Sequence, residues 1–290
     1  MIRHSIFTVA GLALTLAGAS AARAELTLSA EPQGKHDLAF DGTWAAVPDG
    51  EVRYATRADL AALPGAKTVR DRPWATMPEA DLTVVPISVL TAELGWEGDA
   101  DGLVLTCEDR WESWLPNSLV EEREPYLLLY YNGNAPGEGD GWPIFNGIEA
   151  MAPYYVFVSP ADHPDFKDET PHGMISATQV VKISAANEEA RYKPFYAGAN
   201  AALSDTAKAG RTLFLANCNS CHQGPGMAGG NVSQRPFMVL QTHAKFNADY
   251  FRKMVTDPKQ FYPETIMPRH PQFTDEDFAA LIAFLSEATP

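Results

Sequence analysis

Residues 209–223 read AGRTLFLANCNSCHQ, an amphipathic stretch that runs directly into two cysteines three apart and a histidine. Ala207, Gly210, Leu213 and Phe214 fall on one stripe at helical spacing, and Ser204 stands where an N-cap belongs. A helix is therefore expected from about Thr206 to Asn217. Two cysteines three apart at its end, Cys218 and Cys221, present both sulfurs on one side, with His222 next in the chain. The helical period continues downstream. Asn247 opens a second helix through Tyr250, Phe251 and Met254 that stops before Pro258. Thr274 with Asp277 forms a capping box for a third, whose buried face carries Phe278, Leu281, Ile282 and Leu285. Three short helices and no strand predict an all-α domain over residues 203–290.

The Cys218–Cys221 spacing lets two sulfurs add to the two vinyl groups of one haem, with His222 beneath the iron as proximal ligand. C-x-x-C-H is the pattern of c-type haem attachment. A redox dithiol would expect a βαβ setting, which this stretch lacks. Zinc would need two further ligands, and there is no second cysteine pair. The expected sixth ligand is Met267, 45 residues beyond His222 in Ile266-Met267-Pro268. A thioether there stabilises ferrous haem and raises the potential. His243 and His270 are rival ligands, each read as a surface histidine. Met254 belongs to a helix face, Met238 to an apolar run, and Met227 lies too close to His222.

With "AGRTLFLANCNSCHQ", "ADYFRKMVTDP", "ETIMP" and "FTDEDFAALIAFLSEA" in this order, residues 203–290 resemble a class I cytochrome c domain. The resemblance implies one covalent haem c held by Cys218 and Cys221, with His222 and Met267 on the iron. It implies that Gly210 and Phe214 cross the last helix near Leu281 and Phe284. It also implies a proline carbonyl accepting the Nδ1 hydrogen of His222, which fixes the ligand's tautomer. Pro225 and Pro236 both qualify, and Pro236 is favoured. The glycine-rich run Gly224 to Gly230 departs from the family's pattern.

The rest of the chain has a different character. Arg3 and His4, the apolar stretch Ile6 to Ala17 and the ending Ala22-Arg23-Ala24 read as a signal peptide over 1–24, cut near Ala24. The mature chain is expected in the periplasm, with no stable membrane insertion. Residues 25–202 carry 12 Lys+Arg against 29 Asp+Glu and all six tryptophans, whereas residues 203–290 carry 8 of each charge. So acidic a segment argues against nucleic acid as a partner and suits steering of a basic protein. Thr56 with Asp59 caps a short helix. Strands are expected at Leu82–Pro86, Leu103–Cys107, Tyr126–Tyr131, Tyr154–Ser159 and Ala177–Ser184, and a long loop over Asn132–Gly147. Residues 25–187 are thus expected as an acidic β-rich domain, with 188–202 as a linker.

"TRADLAALPGAKTVRDRPW", "VPISVL", "GLVLTCEDRWESWLP" and "YLLLYYNG" resemble the sulfite-oxidase-type molybdopterin domain. The resemblance implies a β-rich α+β fold ahead of the all-α cytochrome c domain. It does not carry the cofactor across. The family's metal-binding cysteine precedes the segment matched by "VPISVL", whereas Cys107 follows it, and the stretch from Trp74 to Asp81 has no cysteine. Cys107, amid Val104, Leu105 and Trp111, is read as a buried strand residue. Asp162, His163 and His172 could bind a metal, but no paired ligand accompanies them.

The expected function is a periplasmic monohaem cytochrome that transfers electrons, with an accessory docking domain, rather than an enzyme in its own right. Its partners would be redox proteins: a dehydrogenase as donor, a downstream cytochrome or oxidase as acceptor. The alternatives are a haem oxidoreductase whose N-terminal domain binds a substrate or molybdopterin, and a haem-based ligand sensor with an open sixth position.

Overall fold

The computed structural model describes residues 25–73, 77–138, 141–145, 148–149, 151–163, 177–230, 232–233 and 235–290. The expected signal peptide, Trp74 and His172 lie outside them. The fold is α+β, with sheets in the N-terminal part and helices in the C-terminal part.

The strands are β1 (Leu38–Gly42), β2 (Arg53–Ala55), β3 (Lys67–Asp71), β4 (Ala80–Pro86), β5 (Gly102–Cys107), β6 (Glu112–Pro116), β7 (Tyr126–Tyr131), β8 (Ile144–Phe145), β9 (Ile148–Glu149), β10 (Tyr155–Phe157) and β11 (Val180–Ala186). The helices are α1 (Arg57–Ala61), α2 (Ile87–Leu94), α3 (Asn117–Arg123), α4 (Glu188–Arg191), α5 (Asp205–Asn217), α6 (Phe237–Phe246), α7 (Ala248–Thr256) and α8 (Asp275–Glu287). One sheet has the order β2-β1-β11-β5-β6, parallel only between β1 and β11. A second has the order β10-β7-β4-β3, and β8 pairs with β9.

The side-chain period of two decides how these sheets stack. In β7, Leu127 and Leu129 enter a core shared with Phe40, Leu105 and Ile183 of the five-stranded sheet. Tyr126 and Leu128 point the other way, into a core with Tyr155, Phe157 and Trp142. The uninterrupted apolar run Tyr126–Leu129 therefore marks a strand buried on both faces. β5 behaves similarly. Leu103 and Leu105 face the inter-sheet core, while Val104 turns outward and joins Trp114 against the helical part. The helices thus cover the outer face of the five-stranded sheet at β5 and β6.

Residues 188–202 make this junction. They form α4 and two 3₁₀ turns, Lys193–Phe195 and Gly198–Ala202, with Tyr192 and Phe195 buried. Trp114 donates from Nε1 to Glu188 at 2.7 Å and meets the edge of Tyr192, ring centres 5.8 Å apart. Phe195 then stacks on Phe284 of α8 and packs against Phe214 of α5, both at 6.0 Å.

Among the described residues the helical part has four α-helices where the spacing predicts three. The unforeseen one is α6, which begins after Pro236 without a side-chain cap. Ser204 caps α5 by accepting from the amide of Ala207, and Thr274 and Asp277 make the reciprocal capping box of α8. Gly210 and Phe214 lie against α8 at Ala280 and Phe284.

Candidate functional site

The end of α5 presents the two cysteines by continuing its hydrogen-bond ladder past the last helical turn. Cys218 donates its amide to Phe214 O at 2.9 Å, and the amides of Cys221 and His222 reach Cys218 O at 3.1 and 2.8 Å. Both sulfurs and the imidazole are thereby held on one turn. Downstream segments clamp it: Gly230 N donates to Asn219 O at 2.6 Å and Ser233 N to Cys221 O at 2.9 Å.

Cys218, Cys221 and His222 line a mainly apolar cavity of about 370 Å³. Its other walls come from Phe214 on α5, Phe251 and Val255 on α7, Leu281 and Leu285 on α8, and the irregular segment Thr265–His270. Met267 lines the same cavity, so the structure brings together the four residues that spacing singled out. Burial holds the His222 imidazole at a pKa of about 4, with the nearby Arg235 charge adding to the effect. It is neutral at pH 7, the form in which a nitrogen lone pair binds a metal. Burial pushes the Cys218 thiol up to about 12, with the proximity of Cys221 second. An active dithiol needs the opposite shift, and the two sulfurs form no disulfide.

The rival ligands are placed differently from the surface positions expected of them. His270 is 2% exposed, its ring stacked on Phe273 at 4.9 Å, and burial lowers its pKa to about 4. His243 is half-buried with its ring 5.0 Å from that of Tyr250. Both line the cavity. The backbone amide of His270 donates to Val255 O of α7 at 3.0 Å.

Among the described residues no hydrogen bond joins the favoured proline to His222. Pro236 is exposed, and its carbonyl accepts from Val239 N at 2.9 Å as the first bond of α6. The Pro225 carbonyl accepts from Ala228 N at 3.2 Å. Nδ1 of His222 is buried with no partner among the described residues. The glycine-rich run has a role that periodicity did not reveal, since it seats Pro194 and Phe195 of the junction. Arg235, Tyr250 and Tyr262, which also line the cavity, carried no signal beyond the position of Arg235 beside a proline.

In the N-terminal part, Cys107 is buried in the inter-sheet core and its thiol is pushed up to about 12, by burial first and Asp109 second. Asp162 accepts from the Tyr126 hydroxyl at 2.9 Å. Among the described residues no group of three or more His, Cys, Asp or Glu side chains could hold a metal, and no helix is long and apolar enough to cross a membrane.

The cavity's chemistry fits a haem: two thiols and a neutral imidazole on one turn, a thioether in the same lining, and apolar walls for the macrocycle. The family model described as cytochrome c oxidase, cbb3-type, subunit III matches residues 205–285. No curated protein matches the chain. The match supports a C-terminal cytochrome c domain over residues 205–285; a domain of that kind implies covalently bound haem c and suggests redox protein partners.

Proposed function

We propose that this chain is an exported single-haem cytochrome that shuttles electrons between periplasmic redox proteins. The observation that carries the reading is one apolar cavity lined by Cys218, Cys221, His222 and Met267. Cys218 and Cys221 would hold the haem by thioether bonds, and His222 would bind the iron. Met267 is the better sixth donor. The ring of His270 is occupied by its stack on Phe273 and a 3.5 Å contact with Gln272, and that of His243 packs on Tyr250. When bound, the haem supplies the one-electron chemistry; the protein supplies ligands, burial and docking.

In this reading the domain limits are 25–187 and 203–290, with 188–202 between them, and the first domain is a cofactor-free relative of the sulfite-oxidase type. Its one cysteine, Cys107, sits in the core with a raised pKa, the reverse of what a thiolate ligand requires. Its excess of 27 Asp+Glu over 10 Lys+Arg suits docking of a basic partner.

The test is expression with the c-type maturation machinery, followed by mass measurement and pyridine haemochrome analysis. One covalent haem is expected, lost in the Cys218→Ser, Cys221→Ser double variant. A wild-type protein with two titratable thiols and no haem in its cavity would sink the reading. Fractionation of the native cell tests the export.

A further inference from the structure

Phe214 of the cavity wall is the first ring of a series that leaves the helical part. Phe195 of the junction packs on it at 6.0 Å, Phe195 meets Tyr192 at 6.0 Å, and Tyr192 meets Trp114 of β6 at 5.8 Å. Each spacing lies in the contact range of paired aromatic rings. Trp114 is 2% exposed and Phe195 fully buried, so the series is shielded from water between the cavity and the sheet. Phenylalanine resists oxidation, whereas indole and phenol do not.

Two oxidisable side chains of this junction share one base. Glu188 accepts from Trp114 Nε1 on one carboxylate oxygen, at 2.7 Å, and from the Tyr196 hydroxyl on the other. Tyr196 follows Phe195 in the chain, and the Arg211 guanidinium of α5 stands 3.7 Å from its ring centre. Burial first and the bond to Glu188 second raise the Tyr196 pKa, so the phenol holds its proton at neutral pH. An indole or phenol that loses an electron becomes a far stronger acid, and its proton then needs an acceptor within hydrogen-bond reach. A buried donor is satisfied by an acceptor of any kind. One carboxylate serving two oxidisable donors behind the cavity wall is in addition a proton sink.

We infer that Trp114 and Tyr196, with Glu188 as their base, form an oxidisable relay that draws oxidising equivalents out of the cavity when a hydroperoxide reaches it. The inference rests on the haem reading of Cys218–His222. Trp114 and Tyr196 each give up one electron and one proton, breaking the indole N–H and the phenol O–H bonds. One molecule of hydrogen peroxide takes up both electrons and both protons, its O–O bond breaks, and two waters form. The haem ends as it began, and the two side chains are left as neutral radicals.

The experiment treats the full-length ferric holoprotein with hydrogen peroxide and reads freeze-quenched electron paramagnetic resonance, with peptide mapping for added oxygen. Indolyl and phenoxyl signals are expected, with oxygen added at Trp114 although it is buried. Trp96 is the control: it is half-buried and stacked on Trp44 against the inter-sheet core, so oxidation governed by exposure would mark it ahead of Trp114. Trp114→Phe should lose the indolyl signal. Glu188→Gln, which keeps an acceptor and removes the base, should lose both signals, and both variants should bleach their haem faster than wild type. Met267→Ala, which leaves an iron position for peroxide, should label Trp114 more heavily. Labelling of Trp96 ahead of Trp114, unchanged signals in Glu188→Gln, or an unlabelled Trp114 in Met267→Ala each overturns the inference. If Trp114→Phe does not mature, Tyr196→Phe decides by loss of the phenoxyl signal. Absence of haem before peroxide is added is the separate failure of the underlying reading.

Discussion

The Cζ atom of Phe195 lies 2.1 Å from where a Cβ on residue 224 would stand. Gly224 is two residues beyond His222, so the segment ahead of the cytochrome c domain packs directly on the loop that follows the two cysteines. Phe195 is fully buried and Gly224 is buried with it.

Gly224→Ala should therefore destabilise the protein by about 1–3 kcal/mol, the range for overpacking a filled core. Phe195→Ala should cost about 3–5 kcal/mol by leaving a cavity among Phe214, Tyr192 and Phe284. Urea unfolding of each full-length variant measures both. A near-neutral Phe195→Ala would mean that residues 188–202 are only loosely attached. The same contact bears on deletion experiments, since a chain begun after residue 195 exposes the core it leaves behind.

Gly210→Ala is expected to lower stability although alanine is the better helix former. The added Cβ would stand 1.9 Å from the carbonyl oxygen of Ala280, a backbone atom of α8 that cannot swing away. Helix propensity returns about 0.5–1 kcal/mol, while separating two packed helices costs about 1–3 kcal/mol or more. A lower thermal midpoint with unchanged helical circular dichroism is the expected signature. A rise in the midpoint would show that the α5–α8 crossing has slack.

The helical part was legible where chemistry marks the chain. Ser204, Thr274 and Asp277 announce helix starts, and the cysteine spacing announces the cavity. α6 was not legible because it opens at Pro236 with no capping side chain, so Phe237–Leu240 reads as an apolar run. α2 was hidden likewise: Ile87–Leu94 follows Pro86 uncapped and extends the apolar β4 without a break. β1 is not legible because Leu38, Ala39 and Phe40 are too short a run to stand out, and its partner β11 lies 143 residues away, as Ala39 against Lys182 shows.

His270 makes stability depend on pH in a defined direction. Burial takes its pKa from the ordinary histidine range near 6.5 to about 4. Between these values the unfolded chain binds the proton and the folded chain does not, so stability is full above pH 6.5 and falls as the pH drops toward 4. The shift corresponds to about 3 kcal/mol by pH 4. His270→Phe, which keeps an aromatic ring against Phe273, should flatten the wild-type loss by about that amount. Urea midpoints at pH 7 and pH 4 measure it. Parallel losses in both proteins would show that His270 takes up its proton without unfolding.

Met267 and its two rivals are separable by spectroscopy because a thioether and an imidazole give ferric haem different absorption. Met267 lies in an irregular segment, its amide donating to Thr265 Oγ1 at 3.1 Å, and its side chain faces the cavity. Met267→Ala is expected to abolish the long-wavelength ferric band of a thioether-bound iron and to lower the midpoint potential, since methionine ligation favours the ferrous state. His243→Ala and His270→Ala should keep the band. The spin state of Met267→Ala then carries further information. High-spin ferric haem would mean that the stack on Phe273 and the packing on Tyr250 hold both histidines away from the iron. A low-spin spectrum lost on adding His270→Ala would mean that the Thr265–His270 segment can carry either donor to it. Retention of the thioether band in Met267→Ala would remove Met267 from the ligand set and point to Met254, which lines the cavity from α7.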